Sequence, residues 1–191
     1  MGSASLACGE KKARKEGRII LFLDETAFYL TPISTYSWSP RGHALRVGAQ
    51  VGREHLSVIG ALTLDGRLHL HIHRHACRTA EVIAFLCHLL HHIPGRMLVV
   101  WDGGSIHSSA ELAEFLAMDT EGRVAFEPFP PYAPEVDPQE YVWRQLKYDD
   151  VINRTKYTLD QLEIYLRRAV HRLRRRVSLL RALVRHAGLE C

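Results

Sequence analysis

The chain has little cysteine, and what it has follows no pattern. Cys8, Cys77, Cys87 and Cys191 are the four in 191 residues. They form neither the close pairs of a zinc ribbon nor a disulfide framework, which points to a reducing, cytosolic setting. No apolar run approaches the ~20 residues that a membrane-spanning helix needs. The N-terminus, MGSASLACGEKKARKEGR, has no apolar signal core. These absences argue against helical membrane insertion and against export. Internal repeats are missing, and so are low-complexity blocks apart from one arginine-rich stretch.

Acid is absent from that stretch. Residues 164–186 hold eight arginines, Arg172 and Arg175 among them, and no Asp or Glu. The formal net charge is only +4, so the rest of the chain is net negative and the basic character is local. A local arginine cluster suits a phosphate backbone. A solvated helix face is the other reading.

The remainder is ordinary for a globular protein, with 47% hydrophobic and 24% charged residues, enough for one core. Residues 1–17 read as a linker or ragged start. Residues 18–24 form an apolar run suited to a buried strand. Residues 31–52 are rich in turn formers. Residues 55–73 read as two strands around Asp65-Gly66, a hairpin signal. Residues 79–92 have a helical period, with Thr79 as the expected N-cap and Pro94-Gly95 as the stop. A strand is expected at 96–101, a helix at 108–118 and a strand at 124–126. A helix starts near Pro138, and a long helical stretch is expected from about Leu159 to Arg185.

Helices between the later strands imply parallel crossovers. The expected fold is α/β and ribonuclease-H-like, a mixed central sheet of about five strands with helices on both faces. The first strand then lies beside the fourth.

Three carboxylates stand out on this layout. Asp24 sits in the apolar run RIILFLDET, where an unpaired charge is costly. Asp102 closes RMLVVWDGG. Glu140 falls on the first turn of the helix after PFPPYAPEVDP. Asp137 at N-cap and Pro138 at N1 would hold that turn rigidly. Carboxylates delivered by two strands and a helix start suit hard ions such as Mg²⁺, hence phosphodiester chemistry. Turn capping by Asp24 and Asp102, and a capping box at Glu140, are the structural alternatives. Helical spacing puts Arg144 and Lys147 on the side of Glu140.

Together these segments resemble the catalytic blocks of DDE transposases of the mariner superfamily, in particular their bacterial insertion-sequence branch. FLDET, VVWDGGSIH and PPYAPEVDPQEYVWRQLK correspond to the three blocks, and SWSPRG at 37–42 to a Trp-x-x-x-Gly segment after the first strand. In the third block Tyr132, Ala133, Pro134, Glu135, Val136, Asp137, Pro138, Glu140, Tyr141 and Trp143 follow the family pattern. The resemblance runs from about Arg18 to Lys147. It implies a catalytic domain over 18–157, with 158–191 as a basic helical region packed on or extending from it. It also implies a transposase that cuts DNA at transposon ends and joins 3′ ends to a target. Asp24, Asp102 and Glu140 would hold two Mg²⁺, with Mn²⁺ as substitute. Trp38, Arg41, His107, Arg144, Lys147, Arg172 and Arg175 are the expected DNA contacts. Gly103 stands where many members have Asn.

The family's N-terminal helix-turn-helix region has no counterpart here. Expected partners are therefore DNA, further copies of the chain on DNA, and a separately encoded recognition subunit. A cytoplasmic, nucleoid-associated location follows. A non-transposing DNA-binding remnant or partner-dependent subunit is the alternative function, and a ribonuclease on RNA–DNA hybrids the third.

His69, His71, His73 and His75 alternate along one strand, and period two puts them on one face. A His-x-His pair can bind Zn²⁺. The sequence places no Cys or carboxylate to complete such a site, and a solvent-facing polar side of the hairpin is the default expectation.

Overall fold

The apolar run at the N-terminal end does become a strand, and it is the centre of the molecule. The computed structural model describes residues 13, 15–30, 54–101, 109–119, 122–129, 136–151 and 158–189, with backbone alone at 119 and 149–151. The strands are β1 (Ile19–Tyr29), β2 (His55–Thr63), β3 (Leu68–His73), β4 (Met97–Trp101) and β5 (Val124–Pro128). Between β3 and β4 lies α1 (Thr79–His92), and between β4 and β5 lies α2 (Ala110–Asp119). After β5 come α3 (Pro138–Arg144), a π-helical continuation (Gln145–Val151), α4 (Leu159–Arg174) and α5 (Val177–His186).

One mixed sheet has the order β3-β2-β1-β4-β5. The β1–β2 and β2–β3 pairs are antiparallel, and the β1–β4 and β4–β5 pairs are parallel. Alternation along each strand divides the core in two. Ile20, Phe22 and Phe28 of β1 face α3, α4 and α5, with Val142, Trp143, Leu166 and Leu180 packed against them in one cluster. Leu21 and Leu23 face α1 and α2, with Phe85, Leu86 and Leu112. The sheet is thus covered on both faces, as a ribonuclease-H-like fold requires.

Three expectations are corrected. First, β1 does not stop at Asp24 but continues to Tyr29, because β2 pairs with it along that whole length, from Leu21↔Thr63 to Tyr29↔His55. Ladder bonds to β2 carry the strand through Asp24, Glu25 and Thr26, where the hydrophobic signal is lost.

Second, the long helical stretch from Leu159 is two helices. Arg175 N–H bonds to Arg172 O at 3.2 Å and Arg176 N–H to Leu173 O at 2.9 Å, which closes the first helix in a tight turn. The break brings α5 onto the β2–β3 turn, where Arg181 Nε donates to Asp65 O at 2.9 Å. Gly66 in that turn has φ +82°, and a Cβ there would lie 3.1 Å from Val177 O, so the turn needs glycine.

Third, the histidine face of β3 is only partly open to solvent. The crossover helix α1 lies against it, and His69 and His71 meet His88 there. At the start of α1, Arg78 and not Thr79 is the N-cap, its N–H donating to Glu81 Oε2 at 2.8 Å.

Candidate metal and nucleic-acid site

Asp24 lies one residue past the described pairing of β1 with β4. The parallel pairing of β1 with β4 runs from Ile19↔Met97 to Leu23↔Trp101. Asp24 is the next residue of β1, and its antiparallel partner on β2 is Gly60. It shares the alternation of Phe22 and Phe28 and so faces α3. There Trp143 Nε1 donates a hydrogen bond to Asp24 Oδ2 at 2.7 Å. A charge-assisted bond of this kind contributes roughly 1.5–3 kcal/mol. It offsets part of the cost of a half-buried carboxylate on an apolar strand.

The sequence of α3 explains how it holds that position. Asp137 accepts from Gln139 N–H at 2.9 Å, so the predicted N-cap forms, with Pro138 after it. Glu140 follows on the first turn and is exposed. The side of the helix that carries Gln139 and Trp143 is buried, Trp143 to 1% exposure and Gln139 to 0%. Trp143 packs edge-on against Phe28, with centroids 6.5 Å apart at 82°.

The helix comes this close because β2 carries glycine at the crossing. A Cβ on Gly60 would stand 2.5 Å from Gln139 Nε2 and 2.6 Å from Trp143 Cη2. The same glycine is the cross-strand partner of Asp24. Backbone-to-helix approach at Gly60 therefore sets the height of Trp143 over Asp24.

Beyond Arg144 the helix widens into the π-helical turn, a local form frequent at functional sites. Lys147, on that turn, donates from Nζ to Thr26 Oγ1 at 2.6 Å. Its ammonium also stands 5.5 Å from the centre of the Phe28 ring. Burial lowers its pKa, while the charges of Glu140 and Asp24 act the other way. The structure thus brings together Asp24, Glu140 and Lys147 of the predicted residues.

Arg144 is exposed on the last turn of α3. Arg172 on α4 and Arg175 just after it are exposed on helices that cover the same sheet face. Asp102, His107, Trp38 and Arg41 lie outside the described residues, as do Gly103 and the proline loop at 130–135.

Sequence reasoning missed Trp143, Gly60 and Thr26 as parts of the site. At 1% exposure Trp143 is closed to base stacking. One signal was available: Trp143 is three residues after Glu140, hence a neighbour on the helix surface. Nothing in the sequence pairs Gly60 with Asp24. Trp101 is a core residue, as expected, at 3% exposure.

No helix among the described residues is long and apolar enough to cross a membrane. The profile of the DDE superfamily endonucleases matches residues 19–163. No curated protein sequence matches the chain. Among solved structures, the Mos1 transposase paired-end complex with left transposon end is similar at TM-score 0.60 and 12% identity, over 97% of this chain and 61% of that one. The mariner Mos1 paired end complex with Mg is similar at TM-score 0.60 and 15% identity, over 98% of this chain and 62% of that one. The catalytic domain of Mos1 mariner transposase alone matches at TM-score 0.53 and 11% identity, over 100% of this chain and 94% of that one. The chain thus spans about three fifths of the length of the Mos1 chains in the two complexes. At these identities the likeness establishes the fold.

Proposed function

The chain belongs to the DDE superfamily endonucleases, and from that premise we propose that it is a transposase catalytic domain of the mariner superfamily's bacterial insertion-sequence branch. It would cleave DNA strands and transfer their 3′ ends, with residues 18–157 as the catalytic unit and 158–191 as a basic region beside it. The observation that carries this reading is the clamp between α3 and β1. The indole of Trp143 fixes the Asp24 carboxylate under the helix whose first turn presents Glu140.

The donor set fits hard divalent ions. Asp24 and Glu140 offer carboxylate oxygens, and a cation, Lys147, already balances charge beside them. β4 is last paired at Trp101, opposite Leu23. Asp102 follows Trp101 in the sequence and is the proposed third carboxylate. Two Mg²⁺ ions, or Mn²⁺ in their place, would neutralise phosphate oxygens there and lower the pKa of the attacking hydroxyl.

The chain's own residues would then divide the work. Asp24, Asp102 and Glu140 hold charge at the site. Lys147 and Arg144 meet the phosphates flanking the scissile one. Trp38, Arg41 and His107 line the DNA path, and Arg172 and Arg175 bind backbone further away. In cleavage, water attacks phosphorus, one P–O bond forms and the P–O3′ bond breaks, leaving a 3′-hydroxyl. In transfer, that hydroxyl would attack a target phosphodiester, the new P–O bond forming as the target's P–O3′ bond breaks and the released 3′ oxygen takes up a proton. The related Mos1 structures are described as paired-end complexes, which supports DNA and a second copy of the chain as partners.

Nicking of supercoiled plasmid with Mn²⁺ tests the reading. Wild type should nick, and Asp24→Ala, Asp102→Ala and Glu140→Ala should each abolish nicking while keeping the thermal transition. Full activity in any one variant removes that residue from the site. An RNA–DNA hybrid cut in preference to duplex DNA would identify a ribonuclease instead.

A further inference from the structure

Six of the 12 histidines gather on the other face of the sheet, away from Asp24 and α3. His69, His71 and His73 project from β3 on one side, since Leu68 and Leu70 fill the opposite side. α1 lies over them and adds His88 and His92, one turn apart, with His91 beside them. Ring centroids are 4.5 Å apart for His71–His88, 4.0 Å for His88–His92, 5.7 Å for His69–His88 and 6.4 Å for His69–His92. A strand pair two residues apart and a helix pair four apart each present both rings to the same side. Here the two pairs face each other.

The second observation concerns His92. Its Nδ1 is bonded to the carbonyl oxygen of His88 at 2.8 Å. A carbonyl only accepts, so Nδ1 carries the proton and Nε2 keeps its lone pair. A backbone carbonyl on one ring nitrogen is the usual arrangement behind a metal-ligating histidine. Burial, then neighbouring histidines and Arg174, push His69 and His88 down to a pKa of about 4, so both rings are neutral at pH 7. Neutral imidazole is the ligand form.

We infer that His69, His71, His88 and His92 form a binding site for a borderline transition-metal ion, Zn²⁺ or a neighbour such as Co²⁺ or Ni²⁺. Oxygen-seeking Mg²⁺ does not suit four imidazoles. Among the described residues no group of three or more His, Cys, Asp or Glu side chains could hold a metal ion as those side chains stand. The rings pack against one another instead, the His88–His92 pair at 33° and the His71–His88 pair at 62°. The fold fixes where the four side chains start, and side-chain rotation turns ring stacking into convergence. His69, His71 and His88 are only part-buried and His92 is exposed, so rotamer changes are open to them. The set brings no negative charge, and the Arg174 and Arg67 cations bear on His69. Affinity is therefore expected on the order of micromolar, below that of thiolate sites.

Calorimetry with Zn²⁺, at saturating Mg²⁺, tests this on the whole chain. One ion per chain should bind, and Co²⁺ should give the intense visible bands of a four-coordinate nitrogen site. The His88→Gln/His92→Gln pair should weaken binding by roughly 100-fold, while His55→Gln on β2 leaves it unchanged. Because His88 and His92 are partly exposed, circular dichroism should show the double variant folded. A wild type that binds no Zn²⁺ below about 1 mM overturns the site, as does unchanged binding in the double variant. Zn²⁺ binding lost in Asp24→Ala but kept in the double variant overturns it equally, since the ion is then at the carboxylates.

Discussion

Trp143 donates its indole N–H to Asp24 Oδ2 at 2.7 Å, across 119 residues of sequence. The bond ties the helix carrying Glu140 to the strand carrying Asp24. It fixes the direction in which the Asp24 carboxylate faces.

Trp143→Phe should therefore lower metal-dependent nicking more than it lowers stability. The buried ring is shortened and the charged bond is lost, which costs about 2–4 kcal/mol in denaturant unfolding. Nicking at saturating DNA should fall at least tenfold, and the Mn²⁺ concentration for half-maximal rate should rise. An unchanged Mn²⁺ dependence would mean that Trp143 is only a packing residue.

Gly60→Ala should act on the same joint from below. The new methyl would meet Gln139 and Trp143 within 2.6 Å, so α3 must lift or tilt. A loss of about 1–3 kcal/mol is expected, with a larger relative loss of nicking. Gln139→Met gives the contrast. Both Gln139 amide atoms are buried without a hydrogen-bond partner, so removing them should be neutral or stabilising by up to ~2 kcal/mol. Urea unfolding of the two variants measures both signs.

Arg172→Ala with Arg175→Ala should weaken DNA binding without base preference. If each arginine meets a phosphate, the slope of log K against log salt falls by about 2. Fluorescence anisotropy across a salt series reads this directly. An unchanged slope would assign the two arginines to a role other than phosphate binding.

Acid should loosen the histidine joint between β3 and α1. His69 and His88 are held at about 4, against an ordinary 6.5, chiefly by burial. His71 and His73 are lowered for the same leading reason. The unfolded chain then binds protons that the folded chain refuses. These groups leave stability intact above pH 6.5 and reduce it as pH falls from 6.5 towards 4. Unfolding curves in chelator should show that decline, and His88→Gln should flatten it.

Much of this architecture is written locally. The apolar run at Ile19 to Leu23, the Asp65-Gly66 hairpin, the Asp137-Pro138 helix start and the helices between strands give the strand order and the crossovers. The third motif gives Glu140 a rigid place through its own cap. The sequence also marks Asp24 and Asp102 by their position after apolar strands, because an acid there is costly without a partner.

What the sequence leaves open depends on residues far apart in it. The length of β1 past Asp24 is set by β2, since ladder bonds from a partner strand carry a polar segment that periodicity alone cannot identify. The histidine face of β3 was expected to face solvent and is half-covered because α1 crosses it. The hold of Trp143 on Asp24 needs Gly60 beneath the helix, a fit of volumes that no local pattern encodes. By itself the sequence determined the fold class and the elements on which the candidate carboxylates Asp24 and Glu140 stand. The tertiary structure decided how those groups are held, because close packing and hydrogen-bond direction exist only once distant segments meet.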